Sequence, residues 1–261
     1  MMSSITWRTQ KLWRDISLFG LCTAIRNSGR VLNRRTVTVK IPGFGSILVR
    51  KGDSDYDAVV QTLGRREYLV GKSVQDRINR RYQQILDAGK APVIIDAGAN
   101  IGISSIWFRS IYTEAYIVAI EPDPGNVEVL KRNVGVDPLI TVVEAAVGSK
   151  AGFVKLVPNE KSWAVQTELA DKGCPIVTIE QAVDMIPNGV PLLAKIDIEG
   201  FEKDLFSENL EWISRMFAIF VEPHDWLFPG KQSSRNFQRA LGTGDFEIFL
   251  KGENIIYVRT G

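Results

Sequence analysis

Cysteine and histidine are scarce in this chain of 261 residues: it has two of the first and one of the second. Cys22 and Cys174 lie far apart in sequence, which argues against a disulfide framework and a thiolate metal centre. The single histidine, His224, rules out a multi-histidine zinc site, and no metal ligands are assigned. No apolar run comes near the roughly 20 residues that a membrane span needs. An excess of one charge is also lacking. The 32 basic and 30 acidic side chains leave a net +2, and without a clustered basic patch no nucleic-acid partner is expected. The 45% of hydrophobic residues suffices for the core of one domain with an appendage.

The chain is organised around VIIDAGANIGISSIWF, Val93 to Phe108. Val93, Ile94, Ile95 and Ala97 make a short strand of the kind that a parallel sheet covers on both faces. Gly98 and Gly102 form a loop, after which Ile103, Ile106 and Trp107 carry a helical pattern. Glycines let backbone approach a ligand and a helix start offers free N–H groups, an arrangement suited to a nucleotide-type cofactor. The spacing G-A-N-I-G is not the G-x-G-x-x-G of dinucleotide enzymes. Glu121 ends the next apolar run, AYIVAIEPD, 121 − 96 = 25 positions after Asp96. That is the length of one β–α–β unit, and a carboxylate there can accept hydrogen bonds from both ribose hydroxyls. Acid, glycine loop and acid in this order look like a site for S-adenosylmethionine (SAM). The plainer alternative is a generic α/β unit whose glycines only punctuate turns.

Before this stretch the chain is less regular. Residues 1–35 carry seven basic side chains and one acid, Asp15, among Ile5, Trp7, Leu12, Trp13, Ile16, Phe19 and Ile25 at roughly helical spacing. Packing of this basic amphipathic helix on the protein body or on a second subunit is the preferred reading, with contact to an anionic membrane surface as the alternative. Asp15 abuts the apolar ISLFGLCTAI and no small-residue cleavage site follows, so a signal peptide is not expected. Val37, Val39 and Ile41, then Ile47 and Val49, alternate with polar residues around Pro42-Gly43-Phe44-Gly45 and predict a β-hairpin. Asp53-Ser54-Asp55 offers N-caps to the helical pattern DAVVQTLGRREYLV. An Asp-x-Asp pair can also hold a divalent ion in nucleotide-sugar transferases. A charged helix, DRINRRYQQILDAGK, leads into the central strand.

After Glu121 the pattern repeats as in a doubly wound sheet. PGNVEVLKRNVG is a helix, ITVVEAAVGS a strand with Glu144 at its end, and AGFVKLV an extra strand. NEKSWAVQTELADKGCP reads as an insertion of low regularity in which Trp163 is a candidate substrate or lid contact, with simple packing as the plainer reading, and IVTIEQAVDMI reads as a short strand and helix. PLLAKIDIEGFEKDLF is a further buried strand broken at its C-terminal end by Lys195, Asp197 and Glu199. Charge is costly to bury unless paired or bound, and ligands bind at the carboxyl ends of such strands, so this edge is a candidate site. The alternative is a structural lysine–carboxylate bridge. MFAIFVEPHDW ends likewise in Glu222, His224 and Asp225. His224, whose ordinary titration lies near neutral pH, is a candidate proton acceptor beside Asp197, with Lys195 and Glu199 orienting. A divalent ion on Asp197 and Glu199 is a lesser alternative. SSRNFQRALGTG reads as a helix and FEIFLKGENIIYVRT as a closing hairpin.

IIDAGANIGISS, AIEPDPGNVEVLKRNV, EAAVGS, KIDIEGFE and VEPH together resemble the FkbM-type SAM-dependent methyltransferase family, from about Ile47 to the end. The resemblance implies a Rossmann-like class I methyltransferase sheet, mostly parallel with an antiparallel C-terminal strand, preceded here by an N-terminal helix and hairpin. It implies SAM as donor and O-methylation of a sugar or small-metabolite hydroxyl. On the matching motifs it places the cofactor at Asp96, Gly98, Ala99, Asn100, Gly102, Glu121, Pro122, Asn126, Glu144 and Ala145. The expected division is a basic extension (1–45), a pre-core segment (46–90) and a SAM-binding core (91–261). A homodimer and a cytoplasmic location, with surface contact to a membrane through residues 1–35, complete the expectations. The rival readings are a nucleotide-sugar glycosyltransferase, a nicotinamide oxidoreductase and a catalytically inactive SAM-fold interaction protein.

Overall fold

The computed structural model describes residues 4–28, 36–51, 54–158 and 165–260. Asp53 and Trp163 lie outside these described residues. The chain divides into two compact units, Met1–Glu67 and Tyr68–Gly261.

The first unit contains helices α1 (Ser4–Phe19) and α2 (Leu21–Ser28), strands β1 (Thr36–Ile41) and β2 (Gly45–Arg50), and helix α3 (Asp55–Val59), which continues as a π-helical turn, Val60–Gly64. The two strands pair antiparallel as their alternation predicts, with Val37, Val39, Ile41, Ile47 and Val49 buried. In α1, Asp15 and Phe19 are buried while Trp13 is exposed. The Tyr56 hydroxyl donates to Asp15 at 2.8 Å, so this acid ties α1 to α3. The N-cap reading needs correction. Ser54 occupies the cap position without a side-chain cap hydrogen bond. Asp55 instead accepts from the Arg50 backbone N–H at 2.6 Å and from its guanidinium at 3.0 and 2.7 Å. An acid buried beside an arginine gains more from that pair than from a helix start.

The second unit runs α4 (Lys72–Asp87), β3 (Ala91–Ala97), α5 (Ile103–Ile111), β4 (Tyr116–Glu121), α6 (Pro124–Val134), β5 (Ile140–Glu144) and β6 (Ala146–Val147). Then follow β7 (Gly152–Pro158), β8 (Val165–Ala170), β9 (Cys174–Val177), α7 (Ile179–Asp184), β10 (Gly189–Ile196), α8 (Glu202–Leu205) and α9 (Glu211–Arg215). The last elements are β11 (Ala218–Val221), α10 (Arg235–Leu241), β12 (Phe246–Lys251) and β13 (Asn254–Arg259).

Seven strands form one sheet in the order β12-β13-β11-β10-β3-β4-β5. The pairs from β11 to β5 are parallel, and β13 runs antiparallel to both β11 and β12. The mostly parallel sheet with an antiparallel strand at its C-terminal end is the arrangement that the resemblance implies. The order reverses between β3 and β10, which makes their carboxyl ends the switch point where ligands bind. Both sheet faces are covered. Val93, Ile95, Ala97, Ala194, Ile196, Ile219 and Val221 pack in one cluster with residues of α7, α8, α9 and α10. Ile94, Leu193 and Phe220 alternate with them and are buried too, as are Asp96 and Lys195.

The segment read as irregular is partly a strand. β8 pairs antiparallel with β7 and belongs to a second, four-stranded sheet in the order β6-β9-β7-β8. Val165, Thr167 and Leu169 alternate with Gln166 and Glu168, a period of two that suits a strand once β7 supplies a partner.

Candidate active site

Asp96, the penultimate residue of β3, is a fully buried acid. Its Oδ2 accepts from the hydroxyls of Ser104 at 2.7 Å and Ser105 at 2.6 Å, while Oδ1 faces Lys195 Nζ at 3.5 Å. The two serines lie in the first turn of α5, where ISS in the sequence reads only as a helix start. Lys195 stands opposite Asp96 in the register of β10 and β3. It donates to the Gly98 carbonyl at 2.6 Å and lies 3.2 Å from Asp197 Oδ2. Burial alone would depress this ammonium, but the charge of Asp197, with Tyr68 and Asp96, holds its pKa well above the ordinary lysine value.

The loop after β3 is folded tightly against β10. Gly98, Asn100 and Gly102 have φ of +75°, +48° and +87°. A Cβ on Gly98 would stand 1.7 Å from the Asp197 carbonyl oxygen, so only glycine permits this approach. The Gly98 and Ala99 N–H groups both donate to the Ile120 carbonyl at 3.0 Å, which fixes the loop over β4. Glu121, at the end of β4, accepts from the Asn100 N–H on Oε2 at 2.8 Å. Its Oε1 accepts from the Asp123 N–H and the Asn126 side chain, each at 3.0 Å. Burial raises the Glu121 pKa, and these three hydrogen bonds act against the rise. The Asn100 Oδ1 is buried without a hydrogen-bond partner. Ala145 donates its N–H to the Glu121 carbonyl at 3.2 Å, and the exposed Glu144 stands opposite Glu121 in register. The residues expected around the cofactor therefore gather at the carboxyl ends of β3, β4 and β5. Their orphaned amide oxygen and left-handed loop fit a polar ligand held close to backbone.

The second group follows β10 and β11. Lys195 is still in the strand, whereas Asp197 lies beyond it and Glu199 sits in the turn with φ +54°. Strand alternation thus does not set the direction of Glu199. Next to them His224 is 2% exposed. Its Nδ1 lies 2.7 Å from Glu202 Oε1, and its Nε2 faces Asp197 Oδ1 at 3.5 Å, Glu199 Oε2 at 3.6 Å and Glu222 Oε1 at 3.9 Å. Glu202, itself 1% exposed, is a site residue that the sequence reading missed, because FEKDLF looks like an ordinary solvent-facing helix. Asp225 turns away and accepts from Ser233 Oγ at 3.1 Å. Trp226 is 54% exposed, with its ring centroid 6.4 Å from that of His224.

The electrostatics run against His224 as a proton acceptor at neutral pH. Burial alone would lower its pKa, but the Glu202 hydrogen bond and charge, with Asp197 and Glu199, push it up to about 10. In this state the imidazole is protonated at neutral pH and cannot accept a proton until that one leaves. Burial and the Asp197 charge likewise raise Glu199 to about 7 and Glu222 to about 9.

All three groups hold protons more tightly in the fold than in the unfolded chain. The histidine contribution is complete below about pH 6.5 and is lost as pH rises through 10. Glu222 has the same sign: the folded chain keeps a proton that the unfolded chain releases, so stability falls as pH rises towards 9. The melting temperature is expected to fall between pH 7 and pH 10, and Glu222→Gln, which mimics the protonated acid, is expected to flatten that slope. Equal slopes for the two proteins in thermal denaturation would refute this placement of Glu222.

A family model described as the methyltransferase FkbM domain matches residues 96–242. Methyltransferase sdnD of Sordaria araneosa is 28% identical over 174 residues, covering 51% of this chain and 67% of that protein. Among solved structures, the chain aligns with the precorrin-6y C5,15-methyltransferase of Geobacter metallireducens at 12% identity, with 75% of this chain and 95% of that chain covered and a TM-score of 0.39. The magnesium protoporphyrin IX methyltransferase of Synechocystis PCC 6803 has 11% identity, coverage of 78% and 91%, and a TM-score of 0.36.

Proposed function

The chain belongs to the FkbM methyltransferase family, and from that premise we propose that it transfers a methyl group from SAM to a hydroxyl oxygen of a sugar or small metabolite. The observation that carries the reading is the loop Gly98–Gly102, tied to Glu121 through the Asn100 N–H and to Lys195 through the Gly98 carbonyl, beside the point where the strand order reverses. Glu121, with one donor on Oε2, retains a lone pair for the ribose hydroxyls, and the orphaned Asn100 Oδ1 offers a further acceptor. When bound, SAM supplies a methyl group already activated on a sulfonium. The protein then has to align the acceptor oxygen with that carbon and receive its proton.

Asp197 is the side chain placed to receive the proton. Lys195 holds its Oδ2 at 3.2 Å and leaves Oδ1 towards His224 and Glu199. His224 can share the role once its own proton has left, and Glu199 orients from the turn. The half-exposed Trp226 ring beside His224 suits the apolar face of a sugar. Asp53, needed by the glycosyltransferase alternative, lies outside the described residues. The loop has no third glycine for a dinucleotide.

Glu121→Gln keeps the shape of the side chain and removes its charge. Charge-assisted hydrogen bonds contribute about 1.5–3 kcal/mol each, so calorimetry with S-adenosylhomocysteine is expected to show affinity reduced about tenfold or more. An unchanged affinity would leave Glu121 as an anchor of the loop alone.

A further inference from the structure

We propose that Asp197 Oδ1, Glu199 Oε2 and His224 Nε2 form a binding site for one divalent cation of the Mn²⁺ class, with Glu222 in reach as a fourth ligand. One ligand atom from each of Asp197, Glu199 and His224 lies within 4.8 Å of those of the other two. Two ligands about 2.1 Å from a common ion stand about 3.0–3.5 Å apart, and Nε2 is 3.5 Å from Asp197 Oδ1 and 3.6 Å from Glu199 Oε2.

The histidine gives the cluster its direction. Its side chain is 1% exposed, its Nδ1 is engaged by the equally buried Glu202 at 2.7 Å, and Nε2 meets carboxylates only at 3.5–3.9 Å. A histidine that ligates a metal almost always gives its other ring N–H to a carboxylate or carbonyl in this way. Glu199 Oε2 is shielded from solvent and has no hydrogen-bond partner, although it points at the same spot. Asp197 is split between two tasks, with Oδ2 on Lys195 and Oδ1 left for the cluster. Four carboxylates, Asp197, Glu199, Glu202 and Glu222, thus surround one imidazole within 4 Å. A set dominated by oxygen with a single imidazole suits Mn²⁺, and Mg²⁺ less well, rather than a thiolate-seeking metal. On binding, Nε2 releases its proton to solvent and donates the lone pair to the ion. Glu202 is then a positioning residue.

Binding itself is independent of the methyl-transfer reading. The use of the ion, to polarise the acceptor hydroxyl beside SAM, rests on that reading. The test uses the full chain after treatment with a chelator, titrated with Mn²⁺ and followed by the paramagnetic resonance of the free ion, while S-adenosylhomocysteine is titrated into the same preparation. One Mn²⁺ per chain is expected. Asp197→Asn and Glu199→Gln are each expected to weaken it by tenfold or more, and Glu202→Gln by about 10- to 100-fold. Glu128→Gln, on the surface of α6, is expected to change nothing. A cooperative melting transition confirms that each variant is folded, and Glu199→Gln, at a turn, serves if Asp197→Asn is not. No stoichiometric Mn²⁺, or binding that ignores all three site variants, overturns the metal site. If S-adenosylhomocysteine still binds in that case, the methyl-transfer reading survives; loss of that ligand with Mn²⁺ retained overturns the reading and leaves the metal site.

Discussion

Gly98→Ala is expected to destabilise the protein by about 2–5 kcal/mol and to abolish tight binding of S-adenosylhomocysteine. Two effects add. A left-handed conformation costs a residue with a Cβ about 1–2 kcal/mol, and the φ here is +75°. Overpacking of a filled interior costs about 1–3 kcal/mol more. The added carbon would lie 1.7 Å from the backbone oxygen of Asp197, an atom that cannot rotate away. The loop must then lift from β10 and lose the 2.6 Å hydrogen bond from Lys195 to the Gly98 carbonyl. Gly89→Ala is the control, since Gly89 has φ +66° but nothing within 4 Å of its added Cβ. It should show the conformational cost alone. Equal losses for the two variants in chemical denaturation would mean that the close approach of loop and strand is not present in solution.

Asp197→Asn is expected to lower single-turnover methyl transfer by 10²-fold or more while leaving affinity for S-adenosylhomocysteine nearly intact, once an acceptor is in hand. A positioned proton acceptor contributes typically 10²–10⁴-fold. The amide keeps the shape and loses the charge that Lys195 and His224 both face, at 3.2 and 3.5 Å. If Asp197 acts through a bound cation instead, the rate falls for the same reason, and Mn²⁺ affinity falls with it. A loss in kcat with KM for SAM unchanged marks an interaction made in the transition state. His224→Gln is the companion variant. Wild-type rates for both between pH 6 and pH 9 would remove these residues from the chemistry and leave positioning to account for it.

The contrast between what was legible and what was not follows from the range of each signal. Val93–Ala97, Leu192–Ile196 and Ala218–Val221 are mainly apolar runs that a doubly covered strand requires, and the acids near their ends stand at the carboxyl edge of the sheet. The hairpin around Gly43 was equally plain, because alternation and turn are both local. Glu202 was not, since nothing in FEKDLF says that its glutamate lies beneath a histidine 22 positions later. Ser104 and Ser105 became ligands of Asp96 only when the loop folded α5 back over β3. β8 needed β7 beside it before its alternation meant a strand. His224 shows the limit most clearly. Its ordinary pKa suggested a base at neutral pH, and the carboxylates that the fold gathers around it give it the opposite state.

Calorimetric titration of the full chain with S-adenosylhomocysteine, alongside NAD and a nucleotide sugar, tests the assignment most directly. Saturable binding of S-adenosylhomocysteine at one site is expected, with a stabilisation of about 2.7 kcal/mol at a hundred times its dissociation constant and no comparable effect of the other two. A folded protein that shows no heat and no melting shift with millimolar S-adenosylhomocysteine, or that binds NAD or the nucleotide sugar in its place, would contradict it.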